Sequence, residues 1–283
     1  MSIFPYKRNI DFPNGFSAQA IESDIETEPK SIFECLDLEV LPKAVIPISG
    51  GATHFPPEIF VRIRPLMKAV VELAFERQIM LVDGGTKQGV MEIVGDLFRK
   101  ARVAQKDLSY PPLVGFVPEF KISYPGASTK ERDPQPSELD PNHPYFVLIH
   151  GAYRWGEEVK CMFGLVNYLS FSLPSVALIV NGGLTTLLEV VYSIQQNRQI
   201  IVFDGTHRVA KVICSALDGA SNDYLISILK GIDPVNPVSK NDIDDALLRL
   251  DQIKNYQGIT RFNLGQPIEE LIELVLSKLS MIE

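Results

Sequence analysis

Cysteine is scarce in this sequence. The 283 residues include three, Cys35, Cys161 and Cys214, which lie far apart and outside any CxxC pair. An odd and scattered set argues against a disulfide framework or a structural zinc site, and it is typical of a reducing compartment. The four histidines also lack a metal-ligand spacing such as HExxH. We therefore expect no metal site.

Long apolar runs and an excess of positive charge are also absent. No apolar run approaches the roughly 20 residues that span a bilayer, and the first residues, MSIFPYKRNIDFPNGF, lack the apolar core of a signal peptide. The net charge of −8 and the isoelectric point of about 5.2 give no overall attraction to nucleic acid or to an anionic membrane. We expect a cytoplasmic protein with neither partner, in which backbone amides and a few cations hold any anionic ligand.

Short, unbroken apolar runs alternate with helical patterns through most of the chain. Unbroken hydrophobicity indicates strands covered on both faces, as in a parallel sheet. Between them, apolar stripes such as the one from Ile63 to Ala74 recur at helical spacing. The alternation predicts an α/β fold: a Rossmann-like, doubly wound, mostly parallel sheet of about seven strands with helices on both faces. The predicted strands are 43–49, 79–83, 112–117, 145–150, 175–180, 199–204 and, more weakly, 258–264.

Two segments depart from this alternation. Residues 1–38 are polar and mixed, which predicts an irregular N-terminal arm before a single Rossmann-like domain over residues 39–283. Residues 123–144 carry five prolines and many charges, so we expect an exposed loop between two buried strands. A loop of that length is usually a lid, an interaction surface or a disordered segment.

Glycine-rich or small-residue segments follow several of the predicted strands. They are SGGATHF (49–55), DGGTKQG (83–89), HGAYRWG (150–156), NGGLTT (181–186) and DGTHR (204–208). Open α/β sheets bind ligands outside the carboxyl ends of their strands, where glycine allows close approach and helix N-termini attract phosphate. One such loop is weak support, because any tight turn needs glycine, but several on one sheet edge predict an anion or nucleotide pocket. The expected ligand-binding residues are Gly50, Gly51, Ala52, Thr53, Gly84, Gly85, Thr86, Gly89, Gly182, Gly183, Thr185, Thr186, Asp204, Gly205 and Arg208.

Several of these segments resemble one family, in the family's order along the chain. ISGGATHF (48–55) and LVDGGTKQGVMEIVGDLF (81–98) are similar to the N-terminal cytoplasmic region of melastatin-type TRP channels, which belongs to the SLOG (LSDAT) superfamily. The resemblance covers roughly residues 40–280 and implies a stand-alone, prokaryotic-type relative of that region. It continues through LDPNHPYFVLIHG (139–151), WGEEV (155–159), VALIVNGG (176–183), IIVFDGTHRVAKVI (200–213) and ITRFNLGQPIEELIELVLSKL (259–279).

The resemblance implies a sensor of nucleotide-type ligands, since members of that family bind ADP-ribose or ATP, and it implies no required cofactor. The superfamily also includes the lysine-decarboxylase-like phosphoribohydrolases called "lonely guy" enzymes. Their PGGxGTxxE motif resembles NGGLTTLLE (181–189), with Asn181 and Thr185 in place of its proline and middle glycine. Glu189 occupies the position of the glutamate that these enzymes use to cleave the N-glycosidic bond of a nucleoside monophosphate.

Several residues have more than one interpretation. Glu189 is either functional or simply favoured by the helix dipole. Asp204 and Arg208 either bind ribose and phosphate or form a mutual surface ion pair. Trp155, the only tryptophan, either stacks on a base or anchors its loop in the interior, and the anchor is favoured. His143 is expected to fix its loop.

Three functions remain open at this point. The first is a sensor that binds a nucleotide or nucleotide sugar, with an ADP-ribose-like ligand as the leading candidate. The second is a nucleotide hydrolase that uses Glu189. The third is an interaction module that acts through homo-oligomers without a ligand.

Overall fold

The computed structural model describes residues 4–51, 55–105, 109–128, 132–233 and 237–280, which contain eleven strands and nine α-helices. The strands are β1 (Tyr6–Asp11), β2 (Ser17–Asp24), β3 (Ala44–Gly50), β4 (Ile79–Asp83), β5 (Leu113–Pro118), β6 (Ile122–Ser123), β7 (Ser137–Glu138), β8 (Tyr145–His150), β9 (Val176–Val180), β10 (Gln199–Asp204) and β11 (Ile259–Asn263). The helices are α1 (Pro29–Leu36), α2 (Pro57–Arg77), α3 (Gly89–Ala104), α4 (Val159–Ser170), α5 (Leu184–Gln195), α6 (Arg208–Leu217), α7 (Asn222–Lys230), α8 (Lys240–Lys254) and α9 (Ile268–Lys278).

Nine of these strands form one sheet in the order β1-β2-β8-β5-β4-β3-β9-β10-β11. Neighbouring strands are parallel, except that β1 and β2 are antiparallel. Helices α2, α3 and α9 pack on one face, and α1, α4, α5 and α6 pack on the other. The predicted doubly wound, mostly parallel sheet is therefore confirmed. Each of the seven predicted strands is present, with its ends within one residue of the prediction.

The residues of β3 show why the apolar runs predicted this sheet. Ala44, Ile46 and Ile48 pack into the core on the α2 and α3 face, whereas Val45 packs into the core on the opposite face. Successive side chains of a strand point to opposite faces, so a strand covered on both sides needs apolar residues at every position. Burial of each large apolar side chain contributes about 1.5–3 kcal/mol.

The prediction of an irregular arm over residues 1–38 is wrong for the described part of that segment. β1 and β2 extend the sheet, with Gln19 of β2 beside Tyr145 of β8, and α1 follows them. The apolar pattern did not reveal β2, because most of its residues are polar. Glu22 of β2, for example, is buried in a hydrogen-bonded ion pair with Arg8. The main sheet has nine strands instead of about seven for this reason.

The segment 123–144 is only partly exposed, so its prediction as an exposed loop is wrong for its C-terminal part. Leu139, Asp140 and His143 are buried there. The two ring nitrogens of His143 lie between carboxylates: Nδ1 is 2.8 Å from Asp140 Oδ2, and Nε2 is 3.0 Å from Asp83 Oδ1. His143 therefore fixes this loop to the end of β4, as expected from the sequence.

His143 is a buried cation between the carboxylates of Asp83 and Asp140. Burial alone would lower the pKa of His143, but the charges and hydrogen bonds of the two carboxylates outweigh burial and raise that pKa to about 10. Helix α3 approaches the cluster at Gly95, where a Cβ would lie 1.6 Å from Asp140 Oδ2. The absence of a side chain at this position allows the cluster to pack against the helix.

The strand order places one reversal of direction near the centre of the sheet. From β3 the chain proceeds through β4, β5 and β8 on one side, and α4 then returns it to β9 on the other side of β3. The loops that leave β3 and β9 therefore diverge, which opens a crevice at the carboxyl ends of these strands. We call the position between β3 and β9 the switch point.

The substitution His143→Ala is predicted to lower the free energy of unfolding by about 3–5 kcal/mol at pH 6, because it leaves two buried carboxylates without their cation. The folded pKa of His143 lies above its usual value of 6.5, so its contribution is complete below about pH 6.5 and is lost as the pH rises through about 10. Urea unfolding of both proteins at pH 6, 8 and 10 measures this change.

His207→Ala is the matched control, because His207 is exposed. It should change the free energy of unfolding by less than about 0.5 kcal/mol at every pH. A cost of His143→Ala that is equal at pH 6 and pH 10 would contradict the charged cluster.

Candidate functional site

The backbone at the switch point depends on glycine. Gly50 ends β3 beside Val180 of β9, and a Cβ at Gly50 would lie 2.7 Å from the carbonyl oxygen of Val180. After β9 the chain turns through Asn181 and Gly182, whose φ angles of +64° and +102° are left-handed. Glycine therefore lets β3 and β9 lie close together and lets the chain turn sharply into α5.

Two helices begin at the switch point, and their first amides are used differently. Helix α6 donates the N–H groups of Val209 and Ala210 to backbone carbonyls of residues 181–182, at 3.2 and 2.9 Å. Helix α5 begins at Leu184 with Gly183 as its N-cap, and no side chain among the described residues caps it. The start of α5 is therefore better suited than that of α6 to receive an anion.

A cavity of about 360 Å³ opens at the switch point, a size typical of small-molecule sites. We call it the central cavity, and its lining residues are Ile48, Gly50, Gly51, Gly84, Thr86, Gln88, Met91, Ser137, Trp155, Glu158, Gly183, Thr185, Thr186, Glu189, Arg208 and Asp233. The residues predicted from the sequence that line it are Gly50, Gly51, Gly84, Thr86, Gly183, Thr185, Thr186, Glu189 and Arg208. The structure thus brings four of the five glycine-rich segments to one cavity, and Trp155 joins them from the fifth.

Other predicted residues lie elsewhere. Five predicted ligand-binding residues in the described part of the chain do not line the central cavity: Gly85, Gly89, Gly182, Asp204 and Gly205. The four glycines have positive φ angles, so the local turns explain them without a ligand. Gly89 lines a second cavity of about 340 Å³ between α2 and α3. Ala52 and Thr53, also predicted to bind ligand, lie outside the described residues.

Asp204 and Arg208 were predicted either to bind ligand together or to pair with each other, and the structure places them differently. Asp204 lies outside the central cavity, with its Oδ2 4.0 Å from Arg261 Nη1. Arg208 lines the cavity, and its Nε donates to the carbonyl of Ile232 at 2.8 Å. Burial lowers the pKa of Arg208, and the nearby Asp233 opposes this shift. Arg208 is the one cationic side chain among the described residues that line the cavity.

Buried polar atoms without a partner concentrate at this edge of the sheet. Among the described residues, the buried side-chain atoms that make no hydrogen bond are Ser49 Oγ, Asp83 Oδ2, Thr86 Oγ1, Asn181 Oδ1 and Glu189 Oε2. Each lies at the carboxyl end of β3, β4 or β9, or in the loop or helix that follows. An unpaired buried polar group costs about 1–3 kcal/mol and calls for a specific explanation in a native protein.

Two carboxyl groups of the central cavity are shifted toward the protonated form. Burial raises the pKa of Glu189 to about 8, and the nearby carboxyl of Glu158 adds to the shift. Burial also raises the pKa of Glu158 to about 7, although its Oε2 accepts a hydrogen bond from the Gly156 N–H at 2.7 Å. Carboxyls that titrate near neutral pH in one cavity are typical of functional sites.

One prediction about the lining residues is wrong, that for Trp155, and two lining residues, Glu158 and Asp233, were not predicted. Trp155 is 42% exposed, so the favoured interpretation as a buried loop anchor is wrong. Glu158 lies in the loop after β8. Its position after the carboxyl end of a strand, which pointed to the other site residues, could have pointed to Glu158 as well. Asp233 enters the cavity from the segment after α7, where no motif marks it.

The described residues hold neither a metal cluster nor a spanning helix. No group of three His, Cys, Asp or Glu side chains in this part of the chain is placed to hold a metal ion. Over the same residues, no helix is both long and apolar enough to cross a membrane.

The substitution Glu189→Gln is predicted to stabilise the protein at alkaline pH. The folded pKa of Glu189 is raised to about 8. The contribution of the protonated carboxyl to stability is therefore complete below the ordinary pKa of 4.5 and is lost as the pH rises through about 8. A glutamine amide stays neutral, so the variant should be more stable than the wild type by roughly 2–4 kcal/mol at pH 9 and nearly equal to it at pH 4.5. Urea unfolding checks this, with the exposed Glu76→Gln as the control. Equal stability of variant and wild type at pH 9 would contradict the burial of this carboxyl.

Comparison with known proteins identifies the family. The family described as "SLOG in TRPM, prokaryote" (LSDAT_prok) matches residues 43–249, which include every lining residue of the central cavity. The transient receptor potential cation channel subfamily M member 2 of Rattus norvegicus is 22% identical over 225 residues, which are 67% of this chain and 14% of the rat protein. The protein of the same name from Mus musculus shows the same identity and coverage.

A protein from a third animal gives a similar match. The transient receptor potential cation channel subfamily M member-like 2 of Nematostella vectensis is 24% identical over 202 residues, which are 61% of this chain and 13% of that protein. The chain thus matches only a small part of the length of these channels, and the resemblance found in its glycine-rich segments is confirmed. Since the family match covers most of the chain, the protein belongs to the prokaryotic family of SLOG domains related to those of TRPM proteins.

Proposed function

We propose that the central cavity binds a nucleotide or a nucleotide sugar, with ADP-ribose as the first candidate, and that the chain acts as a sensor of that ligand. The observation that carries the proposal is the coincidence of three features at the switch point: glycine backbone, an arginine and a set of unpaired buried polar atoms. Open α/β sheets bind nucleotides at this position. Membership of the SLOG family supports the same class of ligand.

The phosphate end of such a ligand fits beside Arg208. A Cβ at Gly51 would lie 2.9 Å from Arg208 Nη1, and one at Gly183 would lie 3.7 Å from Nη2, so the guanidinium lies against two glycine loops. Arginine binds phosphate through two parallel hydrogen bonds, and the start of α5 adds amides and a partial positive charge. A phosphate in this corner would therefore meet a side-chain cation and backbone donors together.

The base and sugar of the ligand have suitable partners among the other lining residues of the cavity. Trp155 offers an aromatic face that is partly exposed, and stacking of a base on such a face contributes about 1–3 kcal/mol. Glu158 and Glu189 line the same space, and a carboxyl near its pKa can donate or accept hydrogen bonds. Ribose hydroxyls, which also do both, are suitable partners for these groups.

We also propose that the sensor is located in the cytoplasm. Cys35, Cys161 and Cys214 are free thiols, two of them buried, as expected in the cytoplasm. Association into a homo-oligomer stays a prediction.

The substitution Arg208→Gln is predicted to weaken binding of ADP-ribose about tenfold or more, because it removes a charge-assisted contact to phosphate. Trp155→Ala should weaken it by a factor of about five or more through lost stacking. Isothermal titration calorimetry against ADP-ribose, NAD, ATP, AMP and cyclic nucleotides measures both effects.

The matched control is Arg62→Gln, which removes an exposed arginine of α2 and should leave affinity unchanged. Absence of binding to every member of this panel would sink the proposal. Binding that survives Arg208→Gln and Trp155→Ala without loss would move the site away from the central cavity.

A second candidate function is hydrolysis of the N-glycosidic bond of the same class of ligand. The two shifted carboxyls of the central cavity favour it, because carboxyls that titrate near neutral pH can act as acid or base. Water would add to the anomeric carbon as the bond from that carbon to the base nitrogen breaks. Glu189, protonated, would give its proton to the leaving base, and Glu158, ionised, would take a proton from the water.

Chromatography of the products tests this candidate. With turnover present, Glu189→Gln should lower the rate at least about a hundredfold while the ligand still binds, because the acid is lost and the cavity keeps its shape. Glu76→Gln, on the exposed face of α2, should leave the rate unchanged. Intact ligand after prolonged incubation with the wild-type protein would remove hydrolysis from consideration.

A further inference from the structure

Arg208 is held in place by the segment that follows α7. Its φ angle of +57° is left-handed and unusual for a residue with a long side chain. Its Nε donates to the carbonyl of Ile232, and the side chain of Ile232 is buried in the core formed with α6 and α7. The guanidinium is therefore attached to a fixed point of the fold, with its outer nitrogens near Gly51 and Gly183.

Asp233 brings a negative charge to the same guanidinium. It follows Ile232 directly and lines the central cavity, and its charge acts on Arg208 as that of a nearby anion. An aspartate beside an arginine is ionised at neutral pH. Arg208 is the one cation among the described lining residues, and the phosphate of a ligand would bind there. The fold thus places a carboxylate of the protein, that of Asp233, at the same position.

We propose that Asp233 is an internal competitor for the anion site: its carboxylate holds Arg208 in the absence of ligand, and any phosphate must displace it or share the guanidinium with it. The inference rests on the proposed function for the class of ligand. It adds a residue that sets the affinity threshold of the site.

A threshold of this kind separates ligands by their size. Competition from Asp233 weakens every anion at Arg208 by the same factor, because each must give up the same carboxylate contact. Inorganic phosphate gains only Arg208 and the backbone amides at the start of α5, and falls below useful affinity. A ligand with a base and a sugar also contacts Trp155 and the carboxyl-lined part of the cavity, so it still binds. Asp233 therefore keeps abundant small anions from occupying the site of the larger ligand.

The test replaces Asp233 with two neutral side chains, one of nearly the same shape and one smaller. Calorimetry measures the dissociation constants of inorganic phosphate and of ADP-ribose for the wild type, Asp233→Asn and Asp233→Ser. We expect both variants to bind both probes about tenfold more tightly, a size reasonable for one charge near a partly buried pair. Inorganic phosphate should also begin to inhibit ADP-ribose binding at millimolar concentration. The double variant Arg208→Gln with Asp233→Asn should lose the gain.

Asp245→Asn is the matched control, because it removes the same charge from the exposed face of α8. It should leave both affinities unchanged, which excludes an effect of net charge alone. Weaker binding by both Asp233 variants would mean that Asp233 positions Arg208 for the ligand, and it would overturn the inference.

The outcomes also separate this inference from the proposed function. If the wild type binds ADP-ribose and the Asp233 variants bind neither probe more tightly, the nucleotide site stands and the competitor role falls. If no protein binds ADP-ribose but the Asp233 variants gain phosphate affinity, the nucleotide function falls and the competitor role stands. If no variant binds either probe, both fall.

Discussion

The parallel pairing of β3 with β9 is the constraint on which the rest of the site depends. These strands lie side by side up to Gly50 and Val180, with no space for a Cβ at Gly50. Because the chain proceeds from β3 in one direction and returns to β9 from the other, the loops beyond the two strands must diverge. Asn181 and Gly182 then turn the chain into α5 beneath the opening. The cavity is thus a consequence of strand order, and its lining is a consequence of which loops follow.

A buried cluster of charged side chains holds one side of the central cavity in place. The cluster of Asp83, Asp140 and His143 ties the segment after β7 to the end of β4, and the Asp140 N–H also donates to the carbonyl of Gly85 at 3.0 Å. Ser137 of β7, which directly precedes this segment, lines the central cavity. Removing charges from water is unfavourable, so the value of such a cluster lies in the position that it specifies. A segment whose sequence is typical of an exposed loop becomes part of the cavity in this way.

The strands around the switch point could be predicted because every residue of β4 and β9 is buried, which leaves an unbroken apolar run in the sequence. β2 could not, since its polar Glu22 is satisfied by His150, a residue distant in the sequence. The same limit applies to the site. The glycine segments predicted its place, but the charges depend on tertiary contacts: Glu158 is buried and Glu157 beside it is more exposed. Asp233 reaches Arg208 only through the path of the chain after α7, which no local pattern encodes.

The most direct test of the central cavity as a nucleotide site is a crystal structure of the protein determined with ADP-ribose present. We expect the ligand at the switch point, with a phosphate oxygen within about 3.2 Å of an outer nitrogen of Arg208 and the adenine against Trp155. A ligand bound elsewhere on the protein, or a central cavity without ligand at saturating concentration, would contradict the assignment.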